Sequence, residues 1–349
     1  MSNHKFPYKW YLKDGYPAKG ITKHNCNVFG TFICGGGSTM GYKLAGFNHL
    51  GGVEIDKEVA DVYNENHNPK YLYCQDIREF NQRTDLPDEL YKLDILDGSP
   101  PCSTFSMAGS REKAWGKSKQ FREGQAVQTL DDLVFVYCDT IIKLQPKVFL
   151  LENVKGIIQG NAKVYSKQIV KKMTDAGYVV QVFCLNAASM GVPQKRERVF
   201  FIGHKKEFKL PALKLEFNED AVLFGALSNH IGKKLSTNGK LFSDWNARKV
   251  GDKNFSQICI REENTAKRFG RVLLSDNEIA PTIVSGNQYI YFNKFEEVGT
   301  ADISQVGSYP LDYNFKKLEV KYLIGMSVPP VMTAQIAHQI YLQWLSKIP

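Results

Sequence analysis

Through the first half of the chain, short apolar runs rich in Val, Ile, Leu and Phe alternate with stretches of helical period, the pattern of parallel strands joined by crossover helices. The runs predict strands over Val28–Ile33, His49–Ile55, Tyr71–Cys74, Leu93–Leu96, Lys147–Leu151, Val179–Leu185 and Arg198–Gly203. Between them, Lys57–Asn66, Asp131–Leu144 and Tyr165–Ala176 read as helices, the last closed by Gly177 as a cap. Beyond about Lys205 the alternation fades, and Ser236–Phe255 reads as loops and short strands. A helix returns over Val331–Leu345, with an apolar face that suits packing back onto the first domain. The expected fold class is α/β, with a seven-stranded, mostly parallel sheet formed by residues 1–205 plus 318–349. Residues 206–317 make a smaller, irregular and β-rich domain.

Chemistry-bearing residues gather at the predicted strand ends, where open α/β sheets hold their ligands. After the first strand comes Cys34-Gly35-Gly36-Gly37-Ser38-Thr39-Met40-Gly41, a glycine turn that lets a ligand lie against bare backbone at a helix start. Glu54 ends the second strand and can accept from both hydroxyls of a ribose. Asp76 follows the third, placed to accept from an adenine amino group while Ile77 covers the ring. The turn lacks the lysine of a phosphate-binding P-loop, which disfavours nucleotide triphosphate hydrolysis. Asp97-Gly98-Ser99-Pro100-Pro101-Cys102 follows the fourth strand, and its two prolines stiffen the turn that carries a thiol. Glu152 and Asn153 end the fifth.

Composition narrows the class. The 349 residues are 43% hydrophobic with a net charge of +9 and a mean hydropathy of −0.31. No apolar run approaches the roughly 20 residues that span a bilayer, and the first residues carry no continuous apolar segment, so the expected setting is cytoplasmic with no membrane partner. Seven cysteines without a CxxC pair, and histidines without ligand spacing, argue against a disulfide framework and against a metal. Between Pro193 and Arg271 stand 17 Lys and Arg against 9 Asp and Glu. Charge concentrated in this way suits a surface that meets a polyanion.

Four blocks, Cys34–Gly41 with Ala45-Gly46-Phe47, Pro101-Cys102-Ser103-Thr104-Phe105-Ser106, Glu152-Asn153-Val154 and Gly191-Val192-Pro193-Gln194-Lys195-Arg196-Glu197-Arg198, stand in order along the chain. With the late Gly325-Met326-Ser327-Val328-Pro329-Pro330, they give a chain that resembles the cytosine-C5 DNA methyltransferases over nearly its whole length. The resemblance implies a class I S-adenosylmethionine-dependent fold and transfer of a methyl group to carbon 5 of a cytosine flipped out of duplex DNA. Cys102 would add to carbon 6, and Glu152 would bind or protonate N3. Asn153 would orient the turn at Pro101, while Arg198 contacts the cytosine and Arg196 holds backbone. The cofactor would use Phe32, Gly36, Gly37, Glu54, Ile55, Asp76, Ile77, Pro100, Ser327 and Val328. Two departures stand out: Cys34 where the family has glycine, and Met326 where it has asparagine.

On the DNA side, the resemblance implies a closing loop over Ser106–Phe121, including Ser106 and Arg111, with Gln194 supporting the loop or touching DNA. A short target-recognition region would begin near Lys206, with Arg248, Arg261 and Arg268 as candidate DNA contacts. The protein is expected to act as a monomer, with any companion restriction endonuclease a separate protein. Rival readings are a transfer-RNA cytosine methyltransferase, a silent DNA-binding homologue and a small-molecule methyltransferase, the last disfavoured by the basic region.

Overall fold

The structure, a computed structural model, describes residues 5–101, 118–119, 128–129 and 132–348. Its main sheet contains β1 (Asn27–Thr31), β2 (Asn48–Glu54), β3 (Tyr71–Cys74), β4 (Ile95–Gly98), β5 (Val148–Val154), β6 (Tyr178–Asn186) and β7 (Glu197–Lys205). Every strand read from the sequence is there. The order is β3-β2-β1-β4-β5-β7-β6. Neighbours from β3 to β5 are parallel, whereas β7 runs antiparallel to both β5 and β6.

Alternate residues of each central strand face opposite sides of the sheet, so the strands feed two apolar layers. Val28, Ile95, Val148, Leu150, Phe200 and Ile202 enter one cluster, which includes residues of α1 (Gly37–Leu44) and of the late helix Pro330–Gln343. Phe29, Leu96, Phe149, Leu151, Val199 and Phe201 enter the other, with α4 (Leu133–Leu144) and α5 (Lys163–Asp175). Each fully buried Leu or Phe contributes about 2–3 kcal/mol relative to exposure. The remaining crossovers are α2 (Lys57–His67), capped by the Asp56 carboxylate accepting from the Glu58 and Val59 amides at 3.0 and 3.3 Å, and α3 (Ile77–Gln82). Gly177, at φ +91°, follows α5 and donates its amide to the Thr174 carbonyl at 3.0 Å.

Past β7, the elements are β8 (Lys233–Lys234), α6 (Lys240–Asn246), α7 (Phe255–Glu263), β9 (Arg271–Leu274), β10 (Gln288–Tyr291), β11 (Glu296–Glu297), α8 (Thr300–Val306), α9 (Val320–Met326) and α10 (Pro330–Gln343). The strands form a second sheet in the order β8-β11-β10-β9, in which β9 and β10 are parallel. Helix α6 corrects the reading of Ser236–Phe255 as loops and short strands. Seven residues make a marginal helix alone, and packing fixes this one. The Trp245 indole donates to the Tyr291 carbonyl at 3.1 Å, and Trp245 joins Phe255, Ile258, Leu273 and Ile290 in a small cluster. The first cluster, by contrast, crosses residue 205: Leu213, Phe224, Tyr291 and Ile303 pack in one continuous core with Val28 and Met40.

Candidate functional site

A cavity of about 870 Å³ opens at the carboxyl ends of β1 to β5 and the start of β7. The local sequence explains why the strands end there. Gly98 closes β4 because the Tyr137 ring lies over it: a Cβ would come within 2.4 Å of that ring. The Tyr137 hydroxyl donates to the Leu96 and Leu150 carbonyls at 2.9 and 2.8 Å, tying β4 to β5. Asn153 extends the tie, donating from its amide nitrogen to the Pro100 carbonyl at 3.4 Å, one residue before the expected Pro101.

Glu152 and Arg198 meet at the cavity wall. Phe200 pairs with Glu152 and Arg198 with Val154 across the antiparallel strands, so Glu152 and Arg198 are diagonal neighbours on one face. Arg198 Nε lies 2.9 Å from Glu152 Oε1, both side chains largely buried. Glu197 instead faces Lys155, at 2.9 Å. Arg196 is buried and donates from Nη2 to the Gly325 and Ser327 carbonyls at 3.0 and 2.8 Å. Burial, and secondarily the nearby Arg198 charge, holds its guanidinium below its ordinary pKa.

On the other side of the cavity, Glu54 Oε2 accepts from the Cys34 amide and Oε1 from the Asp56 amide, each at 3.0 Å. Burial raises the Glu54 pKa against the lowering effect of those amides. Asp76 accepts from the Arg78 amide at 2.7 Å as the cap of α3 and pairs with the Arg78 guanidinium at 3.2 Å. Both carboxylates line the cavity with Phe32, Ile55, Ile77 and Pro100. Acceptors at two strand ends with apolar side chains between them fit a nucleoside. Among the described residues there is no group of three or more His, Cys, Asp or Glu that could hold a metal, and no helix long and apolar enough to cross a membrane.

Gly36, Gly37, Ser327 and Val328 are not among the residues that line the cavity. A Cβ on Gly36 would lie 2.2 Å from His67 Nε2, and one on Gly37 2.2 Å from the Val328 carbonyl, so both glycines answer to packing. Ser327 is buried and accepts from the Tyr309 hydroxyl at 2.6 Å. Gln194 is fully buried, which removes it as a DNA contact; it donates to the Val306 carbonyl at 3.3 Å and accepts from the Ile283 amide at 3.4 Å. The three candidate arginines serve the second sheet and its helices. Arg248 stacks 3.3 Å over the Trp245 ring and donates to the Phe292 carbonyl at 2.6 Å. Arg261 pairs with Asp252 at 2.8 Å, and Arg268 with the buried Asp244 at 2.8 Å. Cys102, Ser106 and Arg111 lie outside the described residues. The sequence reading missed Thr282, Ile283, Val284, Ser285 and Tyr322, which wall the cavity opposite the sheet. No motif marked them; the pairing of Ala280–Pro281 with Gln194–Lys195 brings the 282–285 stretch in.

A mostly parallel seven-stranded sheet in this order, with a nucleoside-type cavity at its strand ends, defines a class I S-adenosylmethionine-dependent methyltransferase fold. The chain belongs to the C-5 cytosine-specific DNA methylase family, whose model matches residues 27–342. It is 36% identical over 183 residues to the type II methyltransferase M.FnuDI of Fusobacterium nucleatum, an alignment covering 51% of this chain and 47% of that protein. The chain thus spans about half the length of that relative. It is 26% identical to M1.HphI of Haemophilus parahaemolyticus, over 88% of this chain and 85% of that one. Spodoptera frugiperda DNMT2 shares the fold, with a TM-score of 0.62 at 13% identity over 91% of this chain and 100% of that one.

Proposed function

We propose that this protein is a DNA cytosine-C5 methyltransferase that draws a target cytosine out of duplex DNA into the cavity. The observation that carries the reading is the Glu152–Arg198 pair at 2.9 Å, next to which Asn153 ties the strand end to Pro100, two residues before Cys102 in the sequence. Carbon 5 of cytosine is a weak nucleophile until another nucleophile adds at carbon 6. Cys102 makes that addition as a thiolate, and after carbon 5 has taken the methyl group a base removes the carbon 5 proton, the double bond re-forms and the Cys102 thiolate leaves carbon 6. Glu152 holds the N3 and exocyclic amine edge of the base, and a proton supplied at N3 offsets the charge that addition creates. Arg198 keeps the Glu152 carboxyl oriented and supplies donors beside the base. Glu54 and Asp76 hold the ribose and adenine of S-adenosylmethionine, with Phe32, Ile55 and Ile77 against the ring; when bound, this cofactor supplies the electrophilic methyl group. A base stacked in a helix cannot reach this wall, so extrusion precedes chemistry, at a cost of a few kcal/mol. Residues 206–317 hold the target-recognition surface.

The test joins two measurements. Bisulfite sequencing of DNA from a host expressing the protein should show converted-resistant cytosines in one sequence context. A duplex of that sequence with 5-fluorocytosine at the target should then form a cofactor-dependent covalent adduct that Cys102→Ser abolishes. Methylation of transfer RNA with none of duplex DNA would overturn the assignment in favour of the RNA-directed relative.

A further inference from the structure

Tyr313 stands outside the cavity yet reaches the turn that lines it. Its side chain is buried, and its hydroxyl donates to the Gly35 carbonyl at 2.5 Å. The preceding residue, Cys34, lines the cavity, and its amide donates to Glu54, the carboxylate placed for a ribose. The peptide that joins Gly35 to Gly36 has glycine on both sides, so its orientation comes from its partners rather than from side-chain sterics. Its N–H donates to the Ile33 carbonyl at 2.9 Å, and its carbonyl meets Tyr313 and, at 3.3 Å, His67 Nε2. Cys34 sits at φ +48°, a left-handed conformation that a residue bearing a Cβ resists. A turn held against its preference needs outside anchors, and the Tyr313 hydroxyl is one.

Tyr313 is itself braced. Tyr309 and Phe315 pack on its ring, with centroids 5.1 and 4.7 Å away. The Asp312 carboxylate accepts from the Leu12 and Lys13 amides at 2.6 and 3.1 Å, and the Leu311 amide donates to the Trp10 carbonyl at 2.9 Å. On the other side Asn314 exchanges two hydrogen bonds with Asn66 of α2, at 2.8 and 2.9 Å. The stretch from Leu311 to Asn314 therefore bridges Trp10–Lys13 and α2, and delivers one buried hydroxyl to one carbonyl. A phenylalanine would fill the same space with no polar group to satisfy, so the contact with Gly35 is what distinguishes the tyrosine.

We propose that Tyr313 is a positioning residue for the cofactor: its hydroxyl fixes the Gly35 carbonyl, and through it the Cys34 amide and Glu54, so that a residue within 206–317 sets the affinity for S-adenosylmethionine. The inference rests on the methyltransferase reading above. Tyr313 acts on cofactor binding and not on the chemical step, because neither Tyr313 nor Gly35 is among the residues that line the cavity with Glu152.

The experiment pairs calorimetric titration with S-adenosylmethionine and steady-state methylation of the duplex located by bisulfite analysis. Tyr313→Phe should raise the cofactor Kd and KM by about tenfold, while kcat at saturating cofactor and affinity for the duplex stay within about twofold. Tyr178→Phe is the comparison, since it removes a buried hydroxyl that donates to the Pro146 carbonyl at 2.9 Å, at the end of β5 away from the cavity. It should lower thermal stability to a similar degree and leave the cofactor Kd within about twofold. Asp312→Asn disturbs the Leu12 and Lys13 contacts but leaves the Tyr313 hydroxyl in place. It should raise the cofactor Kd by about threefold, and it decides the matter should Tyr313→Phe fail to fold. A cofactor affinity unchanged in the folded variants would overturn the proposal, and a parallel loss of cofactor affinity, kcat and duplex affinity would overturn it by marking Tyr313 as structural. An unaltered protein that binds cofactor but methylates no duplex would overturn the methyltransferase reading and leave the calorimetric test of Tyr313 standing; one that binds no cofactor would overturn both.

Discussion

Asp97 sits at the end of β4, almost wholly buried, where its Oδ1 accepts from the Tyr42 hydroxyl at 3.2 Å. Burial pushes its carboxyl up to about 7, against the lowering effect of Ser38 and Tyr42, and the Glu152 charge pushes the same way as burial. The folded protein therefore keeps a proton that the unfolded chain releases near pH 4. Below that pH the two states hold it equally and the group exacts no penalty. As pH rises from about 4 to about 7 the unfolded chain gains by ionising first, and stability falls by on the order of 4 kcal/mol. Asp97→Asn retains the acceptor for Tyr42 and removes the ionisation. Denaturant unfolding at pH 4.5 and pH 8 should show the variant gaining on the unaltered protein as pH rises; a difference that stays flat across that window would contradict the assignment. At this scale the sequence was informative where chemistry is local. Glu54, Asp76 and Glu152 were legible as carboxylates at strand ends. The partners of Arg248, Arg261 and Arg268 were not, since a guanidinium that meets DNA and one that meets Asp244 are written alike, and only the fold brings Asp244 to Arg268.

The strands were legible because their apolar runs serve two buried faces at once, a demand that leaves few polar substitutions along β4 and β5. Helix α6 was not, because its seven residues are held by Trp245 reaching across to Tyr291 rather than by their own period. The glycine turn was read as an approach for ligand, yet Gly37 is required by the segment behind it. That difference can be measured. An alanine in the first turn of a helix is ordinarily favourable by up to about 1 kcal/mol over glycine, so propensity predicts that Gly37→Ala stabilises. A Cβ 2.2 Å from the Val328 carbonyl predicts the opposite. Thermal denaturation should show a loss of about 1–3 kcal/mol, and calorimetric titration should show weaker S-adenosylmethionine binding, because Ser327 and Gly325 move with Val328. A raised melting temperature would refute the packing account.

Over the whole molecule, the basic surplus from Pro193 to Arg271 overstates what DNA can meet. Arg196 is buried, Lys240, Arg261, Lys267 and Arg268 pair with acidic side chains of the same region, and Lys253 pairs with Glu278 just beyond it. Eight phosphate contacts would give a slope of about −7 for log affinity against log salt. Fluorescence anisotropy with a duplex should instead give a slope of about −3 to −5, and a value near −7 would mean that these pairs open on binding. The cavity, too, was only half legible, since its far wall comes from Thr282–Ser285, remote in sequence from the strand ends of the main sheet. That wall is fastened at one place. Gln194 holds Val306 and Ile283, and Arg196 holds Gly325 and Ser327, so a short segment clamps three distant stretches with four hydrogen bonds. A jaw riveted in this way has a fixed gape: parting its sides would break bonds worth about 1 kcal/mol each and leave buried polar groups unpaired. Under the proposed function, deformation on binding then falls on the double helix, the more pliable of the two bodies, and a duplex weakened at the target step should be gripped more readily than a stiff one.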